Sequence, residues 1–264
     1  MSVTTEPAPV LVRLKDTAAP GPLVVLLPHS GCNSTVFLPV AEAMAEGTWV
    51  MSADYPGHGA RFVELLAPDV FTLAVEIADA VVAEAPGEVV LFGHSFGSIV
   101  GFEVARALSV RGVPVRRLFA SSCVDPHAMA AEVRAVHQVP DEVLLDLLVG
   151  HGGIDEELLE EPELLEVMLP IIRHDTRLGE VHRPHPGAVI DAPVTAVGGA
   201  DDPTVSRADL AGWGDCTTAD CTVEFVQGGH FHVMEHPQSI AALLTAETGA
   251  ALDHPLASAE GRTP

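Results

Sequence analysis

The stretch Val89-Val-Leu-Phe-Gly-His-Ser-Phe-Gly-Ser98 constrains this chain more than any other. Its first four residues form an apolar run long enough for a buried strand and too short for a helix. Gly93-His94-Ser95-Phe96-Gly97 then fits G-x-S-x-G, and a helix-period segment continues from Ser98 to about Leu108. Strand, tight turn and helix in that order lift a serine oxygen above the edge of a sheet, and the flanking glycines let helix and strand pass closely. Ser95 is the candidate nucleophile. The pentapeptide alone arises by chance in glycine-rich chains, so the reading rests on the strand before it and the helix after it.

The rest of the chain supplies a sheet for such a turn. Pro9 to Leu14 reads as an edge strand, Leu23–Leu27 as a strand buried on both faces, and Trp49–Tyr55 as the next strand. Helical patterns run from about Thr35 to Glu46 and from Thr72 to Glu84, and Val115–Ser121 follows as a further strand. Strands alternating with helices at this spacing imply a mostly parallel central sheet with helices on both faces. Between about 125 and 186 the alternation stops. Val143, Leu144, Leu147 and Leu148 repeat at helical spacing, as do Leu164, Leu165, Met168, Leu169 and Ile172. These predict amphipathic helices inserted between two strands of the sheet, with their acidic faces in water. The strand pattern resumes at Pro193–Val197 and Thr222–Val226, and a last helix spans about Pro237–Thr245. Residues 1–8 and the tail after Thr248 carry no pattern. A single domain over 1–264 with a helical insertion is the simplest organisation.

Composition narrows the partners. Thirteen basic against 37 acidic residues give a net charge of −24, which excludes nucleic acid and anionic membrane as natural partners. No apolar run approaches the eighteen or so residues of a membrane span. The N-terminus, Met1-Ser-Val-Thr-Thr-Glu-Pro7, lacks a basic region followed by an apolar one, so no secretory leader and a cytoplasmic location are expected. Cys32, Cys123, Cys216 and Cys221 are scattered in neither a disulfide framework nor a zinc spacing, and read as reduced thiols.

A serine nucleophile needs a base, and the base needs an acid to orient it; on this kind of turn they follow in the order serine, acid, histidine. The acid is expected in Gly199-Ala-Asp-Asp-Pro-Thr-Val205, just past an apolar strand. Asp202 fits Gly-x-x-Asp-x-x-Val, with Asp201 as the alternative. Either could instead cap a helix beginning near Arg207. The base is expected in Gln227-Gly-Gly-His-Phe231, where His230 follows two glycines. His230-x-His232-x-x-x-His236 has no companion carboxylate or cysteine, so no metal is expected. His58, His127, His137, His151, His174 and His182 read as surface or core residues. Two N–H donors should receive the oxyanion: the amide of Phe96, directly after the nucleophile, and that of Ser30 in Pro28-His-Ser-Gly31.

From about Leu26 to Leu243 the chain resembles the type II thioesterases of polyketide and nonribosomal peptide synthesis, within the α/β-hydrolase superfamily. The resemblance rests on Leu27-Pro-His-Ser-Gly31, Asp54-Tyr-Pro-Gly-His-Gly59, Gly93-His-Ser-Phe-Gly97 and Gly228-Gly-His-Phe231. It also rests on His137-Gln-Val-Pro-Asp-Glu142, Pro162-Glu-Leu-Leu165 and Arg173-His-Asp175 in the insertion. The elbow alone fits any α/β-hydrolase; the insertion phrases are the specific ones. The resemblance implies an α/β-hydrolase fold with a helical lid, and removal of acyl groups from the phosphopantetheine arm of acyl or peptidyl carrier proteins. It implies no cofactor of the enzyme's own, because the substrate arrives on the 4'-phosphopantetheine of the carrier. Ser95, an aspartate of the Asp201–Asp202 pair, His230, and the Ser30 and Phe96 amides take the family's catalytic places.

The chain departs from the family pattern in three places. Ser30 and Cys32 stand where that family has Ala and a second Gly, which puts the geometry of the loop in question. His58 replaces an arginine, which takes a positive charge from the rim of the site, and His182 stands where a tyrosine often closes the lid phrase. Leu144, Leu148, Leu165, Met168 and Ile172 are expected to roof an acyl chamber. Carrier proteins are commonly acidic, so docking is expected to be apolar with help from Arg134, Arg173 and Arg177, and the enzyme to act as a monomer. The alternative is a stand-alone serine esterase or acyltransferase working on small free esters or thioesters.

Overall fold

The computed structural model describes residues 8–16, 21–132, 135–154 and 156–249. Its strands are β1 (Leu11–Lys15), β2 (Leu23–Leu27), β3 (Trp49–Ala53), β4 (Val89–His94), β5 (Val115–Ser121), β6 (Val194–Gly199) and β7 (Cys221–Val226). They form one sheet in the order β1-β3-β2-β4-β5-β6-β7. β1 runs antiparallel to β3 and all other neighbours are parallel. The helices are α1 (Leu38–Ala43), α2 (Val70–Ala83), α3 (Phe96–Val110), α4 (Pro126–Ala131), α5 (Asp141–Gly150), α6 (Pro162–Val181), α7 (Arg207–Ala211), α8 (His232–Glu235) and α9 (Pro237–Thr248).

The continuous apolar runs of β2 and β4 are buried along their whole length, as parallel strands covered on both faces must be. Their side chains alternate between two cores. Leu23, Val25, Leu27, Val89 and Leu91 pack with the apolar stripes of α2 and α3. Val24, Leu26, Val90 and Phe92 pack with α1 and α9 through Val40, Ile240 and Leu244. The period-two alternation of the strands thus places helices on both faces. The expected fold class is what is found.

The differences are local. The helix expected over 35–46 is a 3₁₀ turn, Ser34–Phe37, followed by α1, because Pro39 sits in the first turn of α1 and starts it afresh. α2 begins two residues early, where the Asp69 side chain accepts from the Thr72 amide at 2.7 Å. The edge strand is shifted by about a residue, to Leu11–Lys15.

Between β5 and β6 the chain is helical, as the pattern requires: α4, then α5 and α6 with short 3₁₀ turns at 136–138 and 156–160. α5 and α6 bury their own cluster of Leu144, Ile154, Leu169 and Ile172. Hydrogen bonds tie the cluster's edge to α6. Glu180 accepts the Val136 and His137 amides at 2.9 and 3.2 Å and also pairs with the His137 ring. Among the described residues no helix is long and apolar enough to cross a membrane.

Candidate active site

β4 ends at His94, and Ser95 caps α3 with φ 52 and ψ −118, a backbone region that costs a non-glycine residue on the order of 1–3 kcal/mol. The Ser95 amide anchors this turn by donating to the Ser121 carbonyl of β5 at 2.7 Å. The close passage explains the flanking glycines: a Cβ at Gly93 would meet the Gly97 carbonyl oxygen at 2.1 Å, and one at Gly97 would meet that of Leu27 at 2.1 Å.

The acid and base lie past the C-terminal ends of β6 and β7. The His230 ring donates from Nδ1 to Asp202 Oδ2 at 3.0 Å, and the Asp202 side chain is wholly buried. Thr204 completes the arrangement. Its amide and hydroxyl donate to Asp202 Oδ1 at 2.8 and 2.6 Å, and its oxygen lies 2.9 Å from His230 Nδ1. With Nδ1 carrying the proton, Nε2 of the neutral ring keeps its lone pair, as a base requires. Burial works against the Asp202 charge, yet hydrogen bonds from His230 and Thr204 outweigh it and hold the carboxyl well below the usual range. Asp201 is exposed and its amide is spent on the Gly228 carbonyl, so the structure brings Asp202, not Asp201, to the imidazole.

Ser95 and His230 line one cavity of about 140 Å³, together with His29, Ser30, Gly31 and Cys32 of the loop after β2. Phe96 contributes the first amide of α3, one of those a helix leaves without an internal acceptor. In the loop after β2 the left-handed residue is Gly31, at φ 78, and Cys32 is not left-handed. Cys32 in place of glycine therefore meets no left-handed backbone penalty. Its thiol lies 3.0 Å from His29 Nε2, and burial, aided by the charge of Asp175, pushes the thiol up to about 12. It is no nucleophile at neutral pH.

The cavity roof agrees with expectation in part. Leu148, Met168 and Ile172 line it, as do Ile154 and Thr176. Leu144 and Leu165 do not: they face the lid's own apolar cluster. Helical spacing identifies the apolar stripe but not which part of it meets the cavity. His151, expected at the surface or in the core, lines the cavity instead, with its ring 6.1 Å from that of His230.

Behind His230 lie three imidazoles. The His94 ring is 5.5 Å from those of His29, His230 and His232, and Ser121 Oγ lies 3.0 Å from both His94 Nδ1 and His232 Nε2. Burial and then the neighbouring imidazoles keep them uncharged: His29 is lowered to about 3, His232 to about 4, and His94 lies well below its usual value. His232 thus reaches β5 through Ser121. Among the described residues no three His, Cys, Asp or Glu side chains gather as a metal site would need.

His58 is a core residue and is paired there. The Pro56 carbonyl, 3.1 Å from Nδ1, and Asp175 Oδ2, 2.9 Å from Nε2, are both placed to accept from its ring. Burial disfavours its charge, but Asp175 more than offsets this and the imidazole is raised above 6.5. The shift favours the cation at the place where a positive charge was expected to be lost. Of the docking arginines, Arg173 is consumed within the lid: it donates to the carbonyls of His137 and Val139 and to Asp141. Arg177 is exposed, and Arg134 lies outside the described residues.

Comparison with known proteins fits this geometry. The thioesterase domain family matches residues 22–248. The chain is 32% identical over 240 residues, 90% of its length, to phenyloxazoline synthase MbtB of Mycobacterium tuberculosis, of which it spans 17%. It is 33% identical to thioesterase PikA5 of Streptomyces venezuelae, over 80% of this chain and 75% of that protein. The type II thioesterase BorB from the borrelidin biosynthetic cluster superposes with a TM-score of 0.80 at 30% identity, covering 92% of this chain and 99% of the other.

Proposed function

Since the chain belongs to the thioesterase family, among the type II enzymes of polyketide and nonribosomal peptide pathways, we propose that it clears acyl groups from carrier proteins. Its substrates would be thioesters on the phosphopantetheine arm, and its machinery a Ser95–His230–Asp202 triad. The observation that carries this reading is the His230 Nδ1–Asp202 hydrogen bond of 3.0 Å behind a cavity that Ser95 and His230 share.

His230 Nε2 takes the Ser95 proton as the hydroxyl oxygen attacks the thioester carbonyl. The amides of Ser30 and Phe96 receive the oxyanion, each such donor typically contributing about a hundredfold or more in rate. The intermediate collapses to an acyl-serine as the C–S bond breaks, and His230 passes its proton to the departing pantetheine sulfur, which leaves as the thiol and returns the imidazole to its neutral form. His230 then takes a proton from water, which adds to the acyl-serine carbonyl. The C–O bond breaks, His230 returns the proton to Ser95, and the carboxylic acid is released. Asp202 holds the ring tautomer and stabilises the imidazolium. Thiolate leaves easily, so the histidine's role as acid matters less than in amide cleavage.

Intact-mass analysis of acyl-loaded carrier proteins before and after incubation tests this. Loss of the acyl mass with wild type and not with Ser95→Ala is the expected result. Equal specificity constants for acyl-carrier protein and acyl-N-acetylcysteamine would favour an esterase of small substrates.

A further inference from the structure

Asp175, on the lid helix α6, is buried and makes two contacts through one oxygen. Its Oδ2 accepts the Gly31 amide at 2.8 Å and His58 Nε2 at 2.9 Å. Gly31 follows Ser30, the proposed oxyanion donor, and it adopts φ 78 with its Cα against the Ile172 side chain of the same helix. The direction of the Ser30 amide therefore depends on where α6 holds Gly31. His58 is in turn asked to donate twice, because a backbone carbonyl on Nδ1 and a carboxylate on Nε2 both accept. Only the imidazolium has two N–H groups.

We propose that His58 and Asp175 form a charged clamp that holds the oxyanion loop against the lid helix, with deprotonation of His58 loosening it. Both are positioning residues that act through Gly31 and Ser30. The surroundings of His58 suit this role. Asp175 faces it from α6 and Asp54 from the end of β3, both favouring the cation. The Tyr55 ring packs edge-on at 5.7 Å, and its hydroxyl donates to the Pro28 carbonyl at the base of the same loop, at 2.9 Å. Asp54 is occupied by the amides of Ser34 and Ala60. The guanidinium of nearby Arg61 is taken by Glu64, Glu76 and the Asp54 carbonyl. Cys32, also beside Asp175, stays a thiol and adds no charge. The imidazole is raised, so the clamp is whole at and below pH 6.5 and is lost as pH rises through the folded value above it. Neutral His58 must leave either Pro56 or Asp175 without a donor.

The inference rests on the proposed triad chemistry, and two readouts separate the failure of either. In wild type, kcat for an acyl-carrier protein should fall on the alkaline side by roughly tenfold, a fraction of the hundredfold or more that an oxyanion donor supplies, with KM little changed. His58→Arg offers permanent charge and several donors, and should remove that alkaline limb. Asp175→Asn can accept both bonds through Oδ1 without the charge, and should move the limb to lower pH. A residue that merely holds the fold would not shift the profile in opposite directions. The Gly31 amide resonance in a ¹⁵N-labelled protein should titrate with the same midpoint in wild type and be flat in His58→Arg. A Gly31 signal indifferent to pH in wild type, or an unchanged alkaline limb in both variants, overturns the clamp. Absence of thioester turnover by wild type overturns the functional reading instead, and the Gly31 titration still decides the clamp.

Discussion

The floor and the roof of the cavity are built by different means. The floor is backbone: Ser95 sits on a strained turn bonded to β5, and a Cβ at Gly93 or Gly97 would lie 2.1 Å from a carbonyl oxygen. Asp202 and His230 follow two neighbouring strands, with β6 and β7 in register from Val194–Cys221 to Gly199–Val226. The roof is side chain: α5 and α6 meet through the small cluster around Leu144 and Ile172. They leave Val143, Leu147, Leu164 and Val167 partly exposed. The floor carries Ser95, Asp202 and His230 on the sheet, whereas the roof packs through its own cluster and reaches the loop after β2 through the Asp175–Gly31 hydrogen bond. That division suits the proposed substrate, which would arrive on a tethered arm.

The largest test of the division is Ser95→Ala. The expected loss in kcat is at least ~10⁴-fold, with the melting temperature kept or raised, because the hydroxyl makes no packing contribution that the turn needs. A residual rate within tenfold of wild type, read by loss of acyl mass from a carrier protein, would put the chemistry elsewhere.

Next comes the acid. Asp202→Asn leaves the shape intact but offers the wrong partner to Nδ1–H, with an expected loss of ~10³–10⁴-fold in kcat. Asp201→Asn, at an exposed side chain, is expected to stay within about twofold, as surface changes away from the site do. Equal losses would break the assignment. Asp202 stays ionised well below the usual carboxylate range, so its protonation will not shape the pH profile at the neutral and mildly acidic values where the enzyme is assayed.

The roof is expected to respond through stability. Leu144→Ala empties a site that is 2% exposed, and truncation of a buried leucine costs about 2–5 kcal/mol. The cost should stay local. Hydrogen exchange should quicken over 141–181 and remain slow in β4 and α3, because the lid cluster is separate from both sheet cores. Uniform acceleration through the sheet would show that floor and roof unfold as one unit.

The same contrast explains what could be read from the chain alone. The floor was legible because each part is local: an apolar run, a glycine-flanked serine, an Asp after one strand and a Gly-Gly-His after the next. Strand order then brings them to one rim. Thr204 lies within Gly199–Val205, but nothing in the pattern reveals that its hydroxyl bridges Asp202 and His230. The roof was legible only as amphipathic helix. Periodicity put Leu144 and Leu165 beside Leu148, Met168 and Ile172, yet only the last three meet the cavity. His58 and Asp175 lie 117 residues apart, so no local signal joins them, and Arg173 likewise reads as a free cation until its carbonyl acceptors are in place.

The smallest expected effect concerns how the proposed carrier-protein partner would find the roof. Arg173 and Arg177 lie four residues apart on α6 and look equivalent in sequence, but they sit differently. Arg173 is held by two carbonyls and Asp141, whereas Arg177 is exposed with no partner among the described residues. A protein of net charge −24 meeting an acidic partner has few such free cations to offer. Arg177→Glu should therefore raise KM for an acyl-carrier protein by about 3–10-fold, with the difference shrinking as salt is added. It should leave kcat and the turnover of acyl-N-acetylcysteamine unchanged. Arg173→Glu should instead lower lid stability and disturb both substrates alike, because it cuts the ties to the 137–141 segment. If Arg177→Glu weakened the two substrates equally, the cation would belong to the acyl chamber and not to docking.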